Sequence, residues 1–551
     1  MKLKRRYWYP GALAMGVLLV GGATYLRWWD RYVEVGLGRW AVAELSRRTD
    51  GTYRLILGDL DFQPLAGSLS FDSAVTVTDT AANRRRSAPL PILNARAVGC
   101  RLSGVSVLDL LLRHRFDAQH MGCRSVSAAM QLLLAAAGAP DPPEGDSDTL
   151  NTHDSGERPA PPLGISYFRI ADVRFPTLIF SLRRTGPRGE SMLSLERARL
   201  GAELLEYDPT APLGHRAGSS QGVRLDASGF LLRPDSMSEF AIGRIDIGLS
   251  DSTVHLDSVV YRLRVPDSVW ARAQRHRRDR ITFGFDRLYA RGLAYRTFIR
   301  TGEFNIRALE MQGARLEVLS DKRPPPGPSG RHSTPQAAAQ RSHPALRLDT
   351  LLIRDSRIVY MEQKPKHDHP GQLTFGQVQG RIVHIDVPSS GDTLAIDVSA
   401  RLMNAGLLSA HATVPLDAPD FRFTLTGKLG TMPALVLNDF LQETEPMLLK
   451  GGTIDSMPFS ITTVRGVAKT TLVPYYHDLA IDFTGGGVGG FIKAGLIEFA
   501  ANKFKVRATN PEEAGKPPRK ATTSRTYDPM KAWLAFLWLC LRDPMMKTIV
   551  K

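Results

Sequence analysis

The sequence predicts a mainly β protein: an N-terminal transmembrane helix, then a long, twisted antiparallel β-sheet curled into an elongated apolar groove, with a few short helices. Three observations predict it. Almost everything from Tyr53 to Arg507 alternates apolar and polar residues, the period of strands with one covered and one solvated face. Glycine (48) and proline (36) are frequent among the 551 residues, which favours turns over long helices. A single long apolar run, Pro10–Leu26, stands near the N-terminus.

That run has seventeen residues, which as a helix reach about 25 Å, the short end of a membrane span. Tyr7, Trp8 and Tyr9 precede it and Trp28 and Trp29 follow, placing aromatic residues at both membrane interfaces. Lys2, Lys4, Arg5 and Arg6 outweigh Arg27 and Arg31, so the positive-inside rule puts the N-terminus in the cytoplasm and the bulk outside. The division is a basic tail over 1–9 and an anchor over 10–28. A cleaved signal peptide is the alternative, because Val20-Gly21-Gly22-Ala23 offers small residues to a peptidase.

A helix continues from the anchor to about Ser46, and strands follow. Phe421-Arg422-Phe423-Thr424-Leu425-Thr426 shows the alternation cleanly. A strand–turn–strand unit recurs at Ile165–Leu182, Phe240–Leu256, Phe304–Val318 and Leu346–Tyr360, at irregular spacing that excludes a strict short-period solenoid. Short helices are expected at Ser106–Leu112, with Ser106 as N-cap, and at Pro433–Leu441. Polar, proline-rich stretches read as disordered inserts or a linker. They divide the strands into groove segments at 29–138, 163–323 and 345–510, separated by inserts at 139–162 and 324–344 and followed by a linker at 511–527. The last segment, 528–551, holds the apolar run Ala532–Leu541, too short to span. It suits an amphipathic helix with Trp533, Phe536, Leu537 and Cys540 on one face, at the membrane interface or packed on a core.

Roughly 25 to 30 one-sided strands, each adding about 4.8 Å, would build a trough of about 120–145 Å at most, with three short helices as covers. The remaining apolar surface must close on itself or be covered by something else, and lipid acyl chains suit it. The candidate lining is Ile170, Phe180, Ile245, Ile247, Val254, Leu316, Val318, Ile358, Tyr360, Leu394, Ile396, Phe421, Phe423 and Leu425; each is a core candidate as well.

No motif supports catalysis, a metal or a cofactor. Three cysteines make no disulfide framework, and there is no CxxC. Gly485–Gly490 satisfies GxGxxG without the βαβ context that a dinucleotide site needs. Gly218-Ser219-Ser220-Gln221-Gly222 matches GxSxG, but a polar segment precedes it and a strand follows, so Ser220 sits in a hairpin loop and not on a nucleophile elbow. His367 and His369 form an HxH with no further ligand nearby in the sequence. The net charge of +16 suits an anionic partner. For the Arg272–Arg280 cluster outside a membrane, anionic head groups are more accessible than nucleic acid, and a solvated loop is the plain reading.

The order of anchor, short helix and strands resembles the AsmA-like superfamily, with its TamB and YhdP relatives and, more distantly, the chorein-type bridge-like lipid transfer proteins. Leu60-Asp61-Phe62, Ser68-Leu69-Ser70-Phe71 and Ala95–Leu112 are similar to the early strands and first helix of that family. Val436–Leu441 leading to Leu449-Lys450-Gly451-Gly452-Thr453-Ile454 is similar to its helix and glycine-started strand, and Asp321–Pro324 and Ile358–Glu362 resemble segments of its members. The resemblance implies a non-enzymatic, single-pass inner-membrane protein, its bulk in the periplasm, that handles phospholipid in transport or envelope biogenesis; a trough of limited length calls for an outer-membrane or periplasmic protein partner to finish a membrane-to-membrane path. The other expectation is an anchored scaffold or assembly factor for outer-membrane proteins, built from closed β-sandwich cores.

Overall fold

The computed structural model describes residues 49–63, 66–86, 90–106, 115–133, 167–186, 189–207, 221–325, 333–365, 367–388, 391–483, 506–530 and 533–550, apart from His343 and Ala514, with Asp109, Arg113 and helical pieces within 38–47. The fold is mainly β with short helices, and it divides into two compact units. The anchor at 10–28, the insert at 139–162, the glycine run 485–490 and Ser220 lie outside the described residues. Among the described residues no helix is long and apolar enough to cross a membrane.

The first unit takes the chain to Ser236 together with Arg244–Ser250. Its strands are β1 (Tyr53–Leu57), β2 (Leu60–Gln63), β3 (Ser68–Thr78), β4 (Ile92–Ser103), β5 (Arg115–Leu133), β6 (Tyr167–Gly186), β7 (Gly189–Ala202), β8 (Leu205–Tyr207) and β9 (Arg224–Arg233), and β10 (Ser238–Gly248) is shared with the second unit. Helix α1 (Thr80–Arg84) leaves β3 through Asp79, whose carboxylate accepts the backbone N–H of Ala81 and Ala82 at 3.0 and 2.9 Å. The Ala82 bond, with Arg54 beside it, holds that carboxyl below the ordinary carboxylate range. Ser106 caps as expected, accepting the Asp109 N–H at 3.3 Å. Most neighbours pair antiparallel, but β5 and β6 are parallel. Ala118, Ile170, Val173 and Ala202 form a small buried core, flanked by the stacked rings of Phe116 and Phe168. Cys100 and Cys123, opposite each other on β4 and β5, are joined as a disulfide.

The second unit runs from Asp251 onward with Met237–Gly243. It contains β11 (Thr253–Leu263), α2 (Asp267–Ala273), β12 (Asp279–Arg291), α3 (Tyr295–Thr301), β13 (Phe304–Gln312), β14 (Arg315–Asp321), α4 (Pro335–Gln340) and β15 (Leu346–Gln363). Then come β16 (Gly371–Val387), β17 (Thr393–Leu402), β18 (Gly406–Pro415), β19 (Phe423–Leu429), β20 (Met432–Pro433) and, after a 3₁₀ turn at Ala434–Leu437, α5 (Asn438–Thr444). It ends with β21 (Met447–Val464), β22 (Val467–Leu472), β23 (Tyr475–Phe483), β24 (Ala521–Thr526) and α6 (Trp533–Ile549). From β15 to β19 successive strands pair antiparallel, and β21, β22 and β24 continue the series. β13 and β14 pair antiparallel with β12 and parallel with β15.

Three expectations need correction. The pairing is mixed, not purely antiparallel, because β5 to β6 and β14 to β15 are parallel steps. A parallel step cannot be closed by a tight hairpin and needs a longer crossover; the polar stretches containing 139–162 and 324–344 supply the chain at those two places. The second is also not a plain insert: Thr334 caps α4, Pro335 takes its first turn, and Ala339 is buried. The stretch 511–527 is not a linker either, since β24 pairs with β22 along six residues and Asn510 is locked to Arg519 and Pro474.

Candidate functional site: the apolar face of the second unit

Side chains of directly paired residues in a sheet share a face, so the register turns scattered alternation into rows. One row runs Val254–Ala290–Leu309–Leu351–Ile382–Ile396–Ala412–Leu425–Ile461 and ends on Thr470 and Thr523. Two residues along lies a second: Leu256–Leu288–Met311–Ile353–Gly380–Val398–Ala410–Gly427–Phe459–Leu472–Ala521. The row between them points the other way and is polar: His255–Tyr289–Glu310, then, after Leu352, Arg381–Asp397–His411–Thr426–Ser460–Thr471–Thr522. On that solvated face His411 Nδ1 meets Asp397 Oδ1 at 2.6 Å and Arg354 donates to Glu310 at 2.5 Å.

The alternation then slips by one residue. Leu256 is followed on the apolar side by Val259 and Tyr261, Met311 by Leu316 and Val318, and Ile353 by Ile358 and Tyr360. A residue with positive φ stands at each slip: Ser258 (55°), Gly313 (67°) and Asp355 (49°), with Gln377 (50°) on β16. Beyond it, Tyr261–Phe283–Leu316–Ile358–Phe375–Leu402 and Ile281–Val318–Tyr360–Leu373 form two further apolar rows. Residues from both sides of the slip pack into clusters that contain α6: Leu394, Leu425 and Ile461 with Phe536 and Cys540, and Tyr360 and Leu373 with Met546 and Ile549. The slip therefore keeps the apolar side chains on one side of the sheet.

Coverage along this face is uneven. Over β19, β21, β22 and β24 it is sealed by α6, whose Phe536 and Cys540 are buried. Arg525 donates to Asp543 at 2.6 Å, and Trp538 and Arg542 donate to Glu445, fixing α6 in place. Helix α5 adds Phe440 and Leu441 over Tyr360 and Leu373. Burial pushes the Tyr360 phenol above the usual tyrosine range, helped by Glu362, to which it donates at 3.0 Å. Across β11 to β17 the row residues are mostly half-buried, and at β12 the face opens, with Ile281 44% and Phe283 39% exposed. An open depression spans β15–β19; its lining takes Ile353, Gly380, Val398, Ala410 and Gly427 from the second row and Arg381, Asp397, His411 and Thr426 from the row that points the other way, so it does not belong to the apolar face alone.

The fourteen candidate residues sort accordingly. Ile170 belongs to the first unit's core, and Phe421 and Phe423 are buried beneath α6, so these three are core residues and not lining. Val254, Leu316, Val318, Ile358, Tyr360, Leu394, Ile396 and Leu425 share the second unit's apolar face. All are half-buried, with Tyr360, Leu394 and Leu425 at the margins of the cores beneath α5 and α6. Phe180, in the first unit, is half-buried in a row with Ala95, Ala128, Leu195 and Phe230. Ile245 and Ile247, on the part of β10 assigned to the first unit, are also half-buried. Leu309, Leu351, Ile382, Ile281 and Phe283 share the second unit's face but escaped selection; their alternation was visible, and their register across strands was not.

Trp533, Phe536, Leu537 and Cys540 were expected on one helix face. Phe536 and Cys540 are buried and Leu537 packs against them, so the core alternative describes this helix. His367 meets Glu443 at 2.9 Å, a contact invisible in the sequence, yet no group of three or more metal-ligating side chains occurs among the described residues. No protein-family model matches the chain, and no curated protein matches its sequence.

Proposed function

We propose that this is a non-enzymatic protein that binds lipid acyl chains along the apolar face of its second unit, and that it takes part in phospholipid transport or envelope biogenesis from an anchored position on the periplasmic side of the inner membrane. The observation that carries the reading is the pair of apolar rows crossing successive paired strands from β11 to β19, only partly buried over most of their length. Apolar patches of this extent on soluble proteins mark ligand or membrane contacts, and acyl chains match a surface that is continuous, apolar and without hydrogen-bonding groups. The Cys100–Cys123 disulfide suits an oxidising compartment, and the run Pro10–Leu26 supplies the anchor. Native mass spectrometry of the detergent-extracted chain is expected to show co-purifying phospholipid, and Ile396→Asp to remove it while the protein still accumulates. A lipid-free wild-type protein would overturn the reading.

The scaffold reading, an anchored assembly factor with closed cores, is favoured by one feature, the burial of Phe421, Phe423 and Ile461 against Phe536 of α6. It requires the rest of the face to be equally sealed, so Ile396→Asp would then prevent accumulation.

A further inference from the structure

The apolar face is most open at one strand end, and that end is basic. β11 finishes there at Leu263, β12 begins at Asp279, and β14 and β15 finish at Asp321 and Gln363, in register with each other. Between β11 and β12 the chain makes α2 and a short loop that exposes Arg272, Arg275, His276, Arg277 and Arg278. Counting residues 267–280, 321–323 and 362, seven Lys/Arg side chains face four carboxylates. Each carboxylate is engaged within the end itself: Asp267 by Arg280, Asp279 by Ser320, Asp321 by Arg323 and Glu362 by Tyr360. Arg277 donates to the Pro324 carbonyl at 2.8 Å, tying the loop to the β14 side, while Arg275 and Arg278 meet no carboxylate among the described residues. Val269 of α2 is 39% exposed, and on the apolar rows Ile281 and Phe283 are open, Phe283 stacking on Tyr261 at 5.4 Å between centroids.

We infer that this strand end docks on the surface of an anionic phospholipid bilayer, with Arg275 and Arg278 toward the lipid phosphates and the open rows at Ile281 and Phe283 facing the acyl layer. Charge complementarity selects the occupant: unpaired arginines beside exposed aliphatic and aromatic side chains match a surface that is anionic outside and apolar beneath. Nucleic acid would satisfy the arginines and leave the apolar groups in water. The inference deepens the acyl-chain reading by naming where lipid meets the face, and it rests on that reading.

The test holds the full chain in phosphatidylcholine nanodiscs and measures capture of vesicles of pure phosphatidylcholine or of phosphatidylcholine with one-third phosphatidylglycerol. The wild type is expected to prefer the anionic vesicles. Arg275→Glu with Arg278→Glu should weaken capture about thirtyfold or more, each basic residue near an anionic surface being worth about fivefold. Arg275→Lys with Arg278→Lys should retain it. Equal capture of the two vesicle types, or capture unmoved by charge reversal, overturns docking. Co-purifying phospholipid is measured on the same variants. Lipid retained without anionic capture sinks docking and spares acyl-chain binding, whereas anionic capture by a lipid-free protein does the reverse.

Discussion

Replacing Ile461 and, separately, Ile396 by alanine compares two positions of one cross-strand row under different cover. Ile461 is 1% exposed beneath α6, whereas Ile396, three strands away in the row, is half-buried. Each change removes three carbons. At about 0.8 kcal/mol per buried carbon, Ile461→Ala loses about 2.4 kcal/mol of transfer energy. The cavity left in a sealed core raises the total to about 3–4 kcal/mol. Ile396→Ala loses about half the transfer term and leaves no sealed cavity, so about 1 kcal/mol is expected. Urea unfolding of the full chain in mild detergent, followed by tryptophan fluorescence, measures both as midpoint shifts at constant slope. A cost above about 3 kcal/mol for Ile396→Ala would show that the face is sealed there, and acyl-chain binding would lose its structural basis.

Further expectations concern the ties that hold each unit. Replacing Cys100 and Cys123 by serine opens a loop of 23 residues' separation and should cost about 3 kcal/mol; thiol titration of the unfolded wild-type chain should find two additional thiols after reduction. Asp543→Asn strips Arg525 of its buried partner and should cost about 3–5 kcal/mol, read from the same urea midpoints. Alkaline pH should destabilise the second unit. Burial pushes the Cys540 thiol from 9.0 up to about 11 and the Tyr476 phenol from 10.0 up to about 12. The folded chain therefore keeps protons that the unfolded chain has lost, so this stability is complete below about pH 9 and disappears as pH rises through 11 and 12. An unfolding midpoint that stays flat from pH 8 to about 11.5 would contradict this burial.

Period 2 made the strands legible because a strand's side-chain repeat is a local property: Phe421 to Thr426 alternate whatever their neighbours are. Pairing is not local. That Leu309 lies beside Leu351 in parallel and Ile382 beside Ile396 in antiparallel register depends on connections of different length, and nothing in those four residues records it. The slip at Ser258, Asp355 and Gln377 was hidden for another reason. None is glycine, the usual marker of positive φ, and an odd interval between apolar residues looks like the end of one strand and the start of another. Cys100 and Cys123 were legible as residues but not as a pair, since only the β4–β5 register sets them opposite. Polar composition made 324–344 and 511–527 read as a disordered insert and a linker, and so concealed α4 and β24, whose short segments draw their order from neighbours already in place.

Helix α6 has a consequence for how the second unit is made. It follows every strand it covers, so during synthesis β19, β21 and β22 leave the translation machinery with Phe423, Ile461 and Leu472 still bare. Their core stays incomplete until Phe536 and Cys540 arrive, and through that interval the nascent chain presents a sticky sheet face to whatever lies nearby. Folding of this end is thus gated by a helix that emerges after the strands it covers, which places the aggregation hazard in time, before α6 docks.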